Sequence, residues 1–138
     1  MKSKLNKLLL LSILFLGTNI GFSQVYRFKT STVAVILKNE KGSWGEWSKP
    51  KEANLVVSVD DSKNRIIVYS EVIQLFEIVE YVAEKFGKTE DKAVFICKNN
   101  EGESCQISFV TKKEEGNRKE LFIAYEDRII SYDIKYLK

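Results

Sequence analysis

The best-specified fold signal is the stretch AVFICKNNEGESCQISF, residues 93–109. Its centre, Asn-Glu-Gly at residues 100–102, fits a three-residue hairpin loop in which the glycine takes the left-handed conformation. Pairing outward from this loop places Cys97 directly opposite Cys105. One face of the hairpin then carries mainly apolar side chains: Ala93, Phe95, Cys97, Cys105, Ile107 and Phe109. Turn chemistry and alternation therefore predict an antiparallel β-hairpin in this register.

Two further hairpins are predicted on either side. Residues 55–59 and 65–70 are rich in valine and isoleucine and are joined by residues 60–64, which favour a turn. Alternating apolar residues at 121–125 and 130–136 predict a closing hairpin at the C-terminus. Residues 25–38 are long enough for one bent strand or two short ones, and residues 39–54, which contain Pro50, are predicted to be a loop.

Residues 70–86 are compatible with either a strand or a helix. Their apolar residues recur at helical spacing, with Ser70 and Gly87 as possible caps. The same segment is dense in β-branched and aromatic residues, and Gln74, Phe76 and Ile78 alternate as in a strand. With a strand here, the chain is an all-β antiparallel meander of about 7–8 strands, barrel-like or a sandwich. With a helix at 70–86, it is a small α+β domain.

The first 23 residues have the organisation of a cleavable secretory signal peptide. A basic start is followed by an apolar run at residues 8–16, too short to cross a bilayer, and by small residues Gly21 and Ser23 around the expected cleavage site. The sequence thus predicts a signal peptide at 1–23 and one β-rich domain at 24–138. It also predicts export to the periplasm or the exterior, with no stable membrane insertion after cleavage.

Charge and composition exclude several classes of function. The whole chain carries 22 basic and 19 acidic residues, but three of the basic residues lie in the signal, so the remaining domain is neutral. Neutrality argues against nucleic acid as a partner. The absence of histidine removes the commonest general base and metal ligand, and no nucleophile motif is present. We therefore expect no catalytic residues, no metal site, no cofactor and no enzyme activity.

The two cysteines are expected to form a disulfide. Both lie in the exported part, where an oxidising compartment favours the bond, and the hairpin register brings them together. Nine residues spanning a hairpin do not form the Cys-X-X-Cys spacing of redox proteins. The expected role of the Cys97–Cys105 disulfide is structural.

Both tryptophans lie in the loop, within the stretch GSWGEW at residues 42–47. Trp44 and Trp47 could plug one end of the core, or could be exposed to stack on a ligand. The second interpretation makes them ligand-binding residues of a non-enzymatic domain that binds a small apolar or sugar-like molecule. The alternative function is a protein-interaction or structural module of the cell envelope that uses an open strand edge.

Several stretches carry a resemblance to known proteins. The string IIVYS at residues 66–70, Gln74 with Phe76, the cysteine hairpin at 95–110 and LFIAYEDRIISYDI at 121–134 resemble small exported proteins of uncharacterised function from Bacteroidetes-type bacteria. The likeness covers about half of the chain. It favours a strand at residues 70–85 and implies neither an activity nor site residues.

Overall fold

Residues 25–137, the part that the computed structural model describes, form nine antiparallel strands and one 3-10 turn at Lys113–Glu115. The signal peptide expected at residues 1–23 lies outside the described residues. The strands are β1 (Val25–Leu37), β2 (Lys51–Glu52), β3 (Val56–Asp60), β4 (Arg65–Tyr69), β5 (Gln74–Phe86), β6 (Glu90–Asn99), β7 (Ser104–Lys112), β8 (Arg118–Ala124) and β9 (Arg128–Leu137).

The sheet closes into an eight-stranded barrel through β1. Strands β3 to β9 pair in sequence order, and β1 completes the circle by pairing with β3 on one edge and β9 on the other. The two-residue β2 adds to β1 outside this circle, at Thr32 and Val33. Ser31 is the extra residue of a β-bulge, so the segment predicted as one bent strand or two short ones is a single bent strand, Val25–Leu37. The predicted all-β, barrel-like meander is confirmed.

The cysteine hairpin has the predicted register. Cys97 pairs with Cys105, the Asn99 amide donates to the Glu103 carbonyl at 2.9 Å, and Gly102 has φ of 81°. A side chain at that φ would be strained, so the loop requires glycine. The hairpins β3–β4 and β8–β9 also form where expected.

The ambiguous segment is a strand, and the helix alternative at 70–86 is wrong. Val79 and Val82 are unpaired bulge residues in the β5–β6 ladder. Each bulge adds one residue, so the positions opposite the inward-facing side of β6 become Ile78, Tyr81 and Glu84, spaced by three instead of two. This spacing resembles a helical repeat, which explains why both patterns are present in the sequence.

Packed aromatic rings fill the barrel interior. Phe28, Phe95 and Phe109 are 0%, 0% and 3% exposed, and Phe109 stands between the other two with ring centroids 5.5 and 5.9 Å away. Tyr136 extends this row beyond Phe28 and Tyr81 extends it beyond Phe95, at 5.7 and 5.3 Å. Full burial of one such side chain stabilises the fold by about 1.5–3 kcal/mol. The interior is therefore the hydrophobic core of the domain.

Polar contacts lie at both ends of this core. At the end that holds the β7–β8 turn, the Asp91 carboxylate is 3.0 Å from the Lys113 ammonium, and Lys119 donates to the Thr111 hydroxyl at 2.8 Å. Burial lowers the pKa of Lys119. At the opposite end, Arg128 covers the ring of Tyr125 at 3.8 Å. No helix within residues 25–137 has the length and apolar character needed to cross a membrane.

Candidate binding groove on the barrel wall

An open groove of about 440 Å³ lies on the outer surface of the barrel, between its wall and the loop that follows β1. Outward-facing side chains of β1, β8 and β9 form the wall, and the loop supplies one rim. We call this the Trp47 groove; its lining residues are Thr32, Ala34, Trp47, Ser48, Pro50, Lys112, Arg118, Glu120, Phe122, Ser131 and Asp133.

Hydrogen bonds to β1 hold the loop in place. The Ser48 amide donates to the Val35 carbonyl at 2.8 Å, and the Val35 amide donates to the Ser48 hydroxyl at 2.9 Å. Three residues earlier, the Gly45 amide donates to the Leu37 carbonyl at 2.8 Å. The loop thus runs antiparallel to the second half of β1. This attachment positions Trp47 at the groove.

The two tryptophans differ in their surroundings, although both are exposed. Trp44 is 42% exposed and Trp47 is 46% exposed, so the interpretation that they plug the core is wrong. The loop hydrogen-bonds along the edge of β1, and the aromatic row already fills the interior. Trp44 forms a bridge pair with Lys38, whose ammonium lies 5.2 Å from its ring centroid. Only Trp47 of the two lines the groove.

A network of charges forms the polar part of the groove. Arg118 contacts Glu115 and Asp133, each at 2.9 Å, and lies 3.5 Å from Glu120. Glu120, with only 14% of its side chain exposed, is also 3.0 Å from the Lys112 ammonium. The hydrogen bond with Glu115 raises the pKa of Arg118 and lowers that of Glu115. The groove therefore presents fixed carboxylates and cations beside an aromatic face.

The main chain of the wall is already paired. Strand β9 pairs with β1 and β8, and β8 pairs in turn with β7, with the bulge at Ser31 as the one irregularity in these described ladders. A ligand in the groove therefore meets side chains, since the peptide groups of the wall are used within the sheet. Aromatic stacking and hydrogen bonds to charged side chains are the interactions that the groove can make.

The cysteines lie on the inner face of the same barrel, away from the groove. Cys97 is 0% and Cys105 5% exposed, and both thiols are free in the structure. Burial raises the pKa of the Cys97 thiol strongly and raises that of Cys105 to about 11, although a hydrogen bond with Tyr125 opposes the second shift. Such thiols are poor nucleophiles near neutral pH.

Sequence reasoning missed most of the groove. Glu120 and Phe122 had a usable signal, because they alternate with the apolar Leu121 and Ile123 and so had to face outward. Their meeting with Asp133 and Trp47 depends on the closure of β1 onto β9, which no local pattern reveals. Within residues 25–137, no group of His, Cys, Asp and Glu side chains could hold a metal ion.

Compared with known proteins, the chain matches no family model, no curated protein and no solved structure. Its function is therefore inferred from the groove and the barrel alone.

Proposed function

We propose that this chain is an exported, non-enzymatic binding protein that holds a sugar-like ligand in the Trp47 groove. The observation that carries the proposal is the position of Trp47, an exposed indole beside the ion-paired network of Arg118, Glu120 and Asp133. Sites that combine an aromatic face with a few fixed polar groups are typical of specific ligand binding.

The packed interior favours a sugar-like ligand over an apolar one. An apolar ligand in a small barrel occupies the interior, but here the row formed by Phe28, Phe95 and Phe109 fills that space. The Trp47 groove instead combines apolar surface from Trp47 and Phe122 with charged groups. A sugar ring has the matching surface, with a C–H face for stacking and hydroxyl groups that donate to carboxylates.

Because the main chain of the wall is already hydrogen-bonded, the groove favours a glycan over a peptide. Extended peptides commonly bind by adding a strand to a free sheet edge, which gives them main-chain hydrogen bonds. The strands beneath the groove have both edges paired, so a peptide would find no such partner there. A glycan needs only side-chain partners, which the groove supplies.

Export and the disulfide belong to the same proposal. The signal peptide at residues 1–23 would direct the domain to the periplasm or beyond, where the opposed Cys97 and Cys105 would join. The lack of histidine in the whole sequence supports binding without catalysis.

Tryptophan fluorescence tests the proposal, because the two tryptophans form a matched pair. We expect titration with neutral oligosaccharides to quench or shift the emission of the purified domain. Trp47→Ala should weaken binding by about two- to tenfold, since aromatic stacking contributes about 0.5–1.5 kcal/mol. Trp44→Ala should retain affinity, because Trp44 lies outside the groove. Equal losses in the two variants, or no response to any oligosaccharide, would overturn the proposal.

A second candidate, a protein-interaction module of the cell envelope, is favoured by the edge of β5. Strand β4 pairs with β5 only as far as Glu77, and the next amide, Ile78, donates to the Asn64 carbonyl at 2.7 Å. Among the described residues the β4–β5 ladder ends at Glu77, and Val79 and Phe86, in the following part of β5, are 57% and 56% exposed. Hydrogen exchange with envelope proteins added should protect amides 79–86; unchanged exchange there would contradict this function.

A further inference from the structure

Building on the proposed function, we infer that the ligand is a linear, uncharged glycan chain long enough to occupy two adjoining concavities. The second concavity has a volume of about 340 Å³ and lies on the outer face of β6 to β9. Lys112 and Phe122 line both it and the Trp47 groove. The two depressions therefore adjoin on the barrel wall, with Lys112 and Phe122 on their common border.

Short side chains make the floor of the second concavity. Ser108 and Val110 are each only 5% exposed, although they alternate with the inward-facing Ile107 and Phe109 and so point outward. Ser108 pairs across the sheet with Phe122, which lies between this floor and the Trp47 groove. Longer side chains, including Lys92 and Ile129, border the depression. Small floor residues between larger ones give the wall a recess that a chain can follow.

The size and arrangement of the two concavities favour a chain over a single sugar. Each alone lies within the range of about 300–1,000 Å³ that is usual for small-molecule sites. A single sugar unit would leave one of them empty. A chain repeats the same ring and hydroxyl groups along its length, so successive units can contact Trp47, Phe122 and the recess over Ser108.

The distribution of charge favours an uncharged chain. The Trp47 groove is lined by two cations, Lys112 and Arg118, and two anions, Glu120 and Asp133. In the second concavity, Glu90 accompanies Lys92 and Lys112. Neither part has a strong field of one sign, and an acidic polysaccharide would meet the carboxylates of the first.

Affinity as a function of chain length tests this inference separately from the proposed function. For the wild-type domain, calorimetry with neutral oligosaccharides of two to six units should show affinity rising at least tenfold from the shortest to the longest. Oligosaccharides of uronic acids of the same lengths should bind more weakly.

Two variants test which concavity accounts for the gain in affinity with chain length. Ala124→Arg would fill the second concavity and should abolish the gain with length while leaving disaccharide affinity unchanged. The matched substitution Ala34→Arg would fill the Trp47 groove and should abolish binding of every length. Should Ala124→Arg fail to fold, the truncation Gln106→Ala/Ile129→Ala serves the same purpose by lowering the border, and should reduce the gain with length.

The outcomes distinguish the two proposals. Disaccharide binding that depends on Trp47 but does not strengthen with length would overturn the chain inference and leave the proposed function intact. A gain with length that survives in Ala124→Arg, or in the truncated variant, would also overturn it. Tighter binding of the acidic series would contradict an uncharged ligand. Binding of the acidic series alone would overturn the uncharged ligand and leave the proposed function intact, whereas no binding of either series would overturn both.

Discussion

The inner and outer faces of strand β8 show how one strand serves both the fold and the candidate site. Leu121 and Ile123 point inward and are fully buried. Their neighbours Glu120 and Phe122 point outward and line the Trp47 groove. Residues that serve stability and residues that serve binding are therefore neighbours in the sequence, because side chains alternate across a sheet. Substitutions on the inner face should change the free energy of unfolding, and those on the outer face should change affinity.

The largest effect on stability is expected at the centre of the inner face. Phe28→Ala removes a fully buried ring that packs against Phe109 and Tyr136, and should lower the free energy of unfolding by about 3–5 kcal/mol in urea denaturation. Phe122→Ala, on the outer face, should lower it by roughly 1 kcal/mol. Similar losses in both variants would break the distinction between the two faces.

The next largest effect concerns the cysteines of the inner face. If Cys97 and Cys105 join in the oxidised protein, reduction should lower the free energy of unfolding by roughly 2–3 kcal/mol, less any strain in the bond. Urea denaturation with and without a reductant measures the change, and Cys97→Ala/Cys105→Ala provides the control that should not respond. Two titratable thiols in unfolded protein purified from an oxidising compartment would contradict the expected disulfide.

Loss of a carboxylate in the Trp47 groove should reduce affinity with little change in stability, unlike the two changes on the inner face. Asp133→Asn removes a charged acceptor that contacts Arg118, and should weaken oligosaccharide binding several-fold while changing stability by less than about 1 kcal/mol. Asp127→Asn is the matched control, because Asp127 also contacts an arginine, at 2.7 Å, but lies in the β8–β9 turn outside the groove. If both variants bind equally, the charge network has no part in recognition.

The smallest effect on stability is expected at the β3–β4 turn, away from both the aromatic core and the Trp47 groove. The Asp60 carboxylate accepts hydrogen bonds from the Ser62 hydroxyl and from the amides of Ser62 and Lys63, which hold its pKa below the ordinary value. Because the folded pKa is the lower one, this stabilisation is present above about pH 4 and is lost as the pH falls through the folded pKa. Asp60→Asn should therefore reduce the acid dependence of stability, by roughly 1 kcal/mol. An unchanged pH profile of unfolding would refute this.

Local signals predicted individual hairpins, but neither the closure of the barrel nor the groove. The register of Cys97 with Cys105 was predictable because the loop and the alternation lie within 17 residues. The segment 70–86 stayed ambiguous because its pattern depends on bulges at Val79 and Val82, which have no distinct sequence signature.

The two tryptophans also show how far local sequence signals can predict the site. Their presence in one loop predicted a possible ligand contact, but only the attachment of the loop to β1 distinguishes Trp47 from Trp44. The remaining groove residues come from β1, β8 and β9, strands that are far apart in sequence. Barrel closure brings them together, and closure is a property of the whole chain.

Chemical-shift mapping with a saturating neutral oligosaccharide tests the central claim most directly, because it reports on both faces of the wall at once. We expect the signals of Ala34, Phe122 and Ser131 to move, since these residues line the groove, while the signals of the inward methyl groups of Leu121 and Ile123 stay in place. Movement of the inward methyl groups with an unchanged outer face would contradict it and would place the ligand inside the barrel.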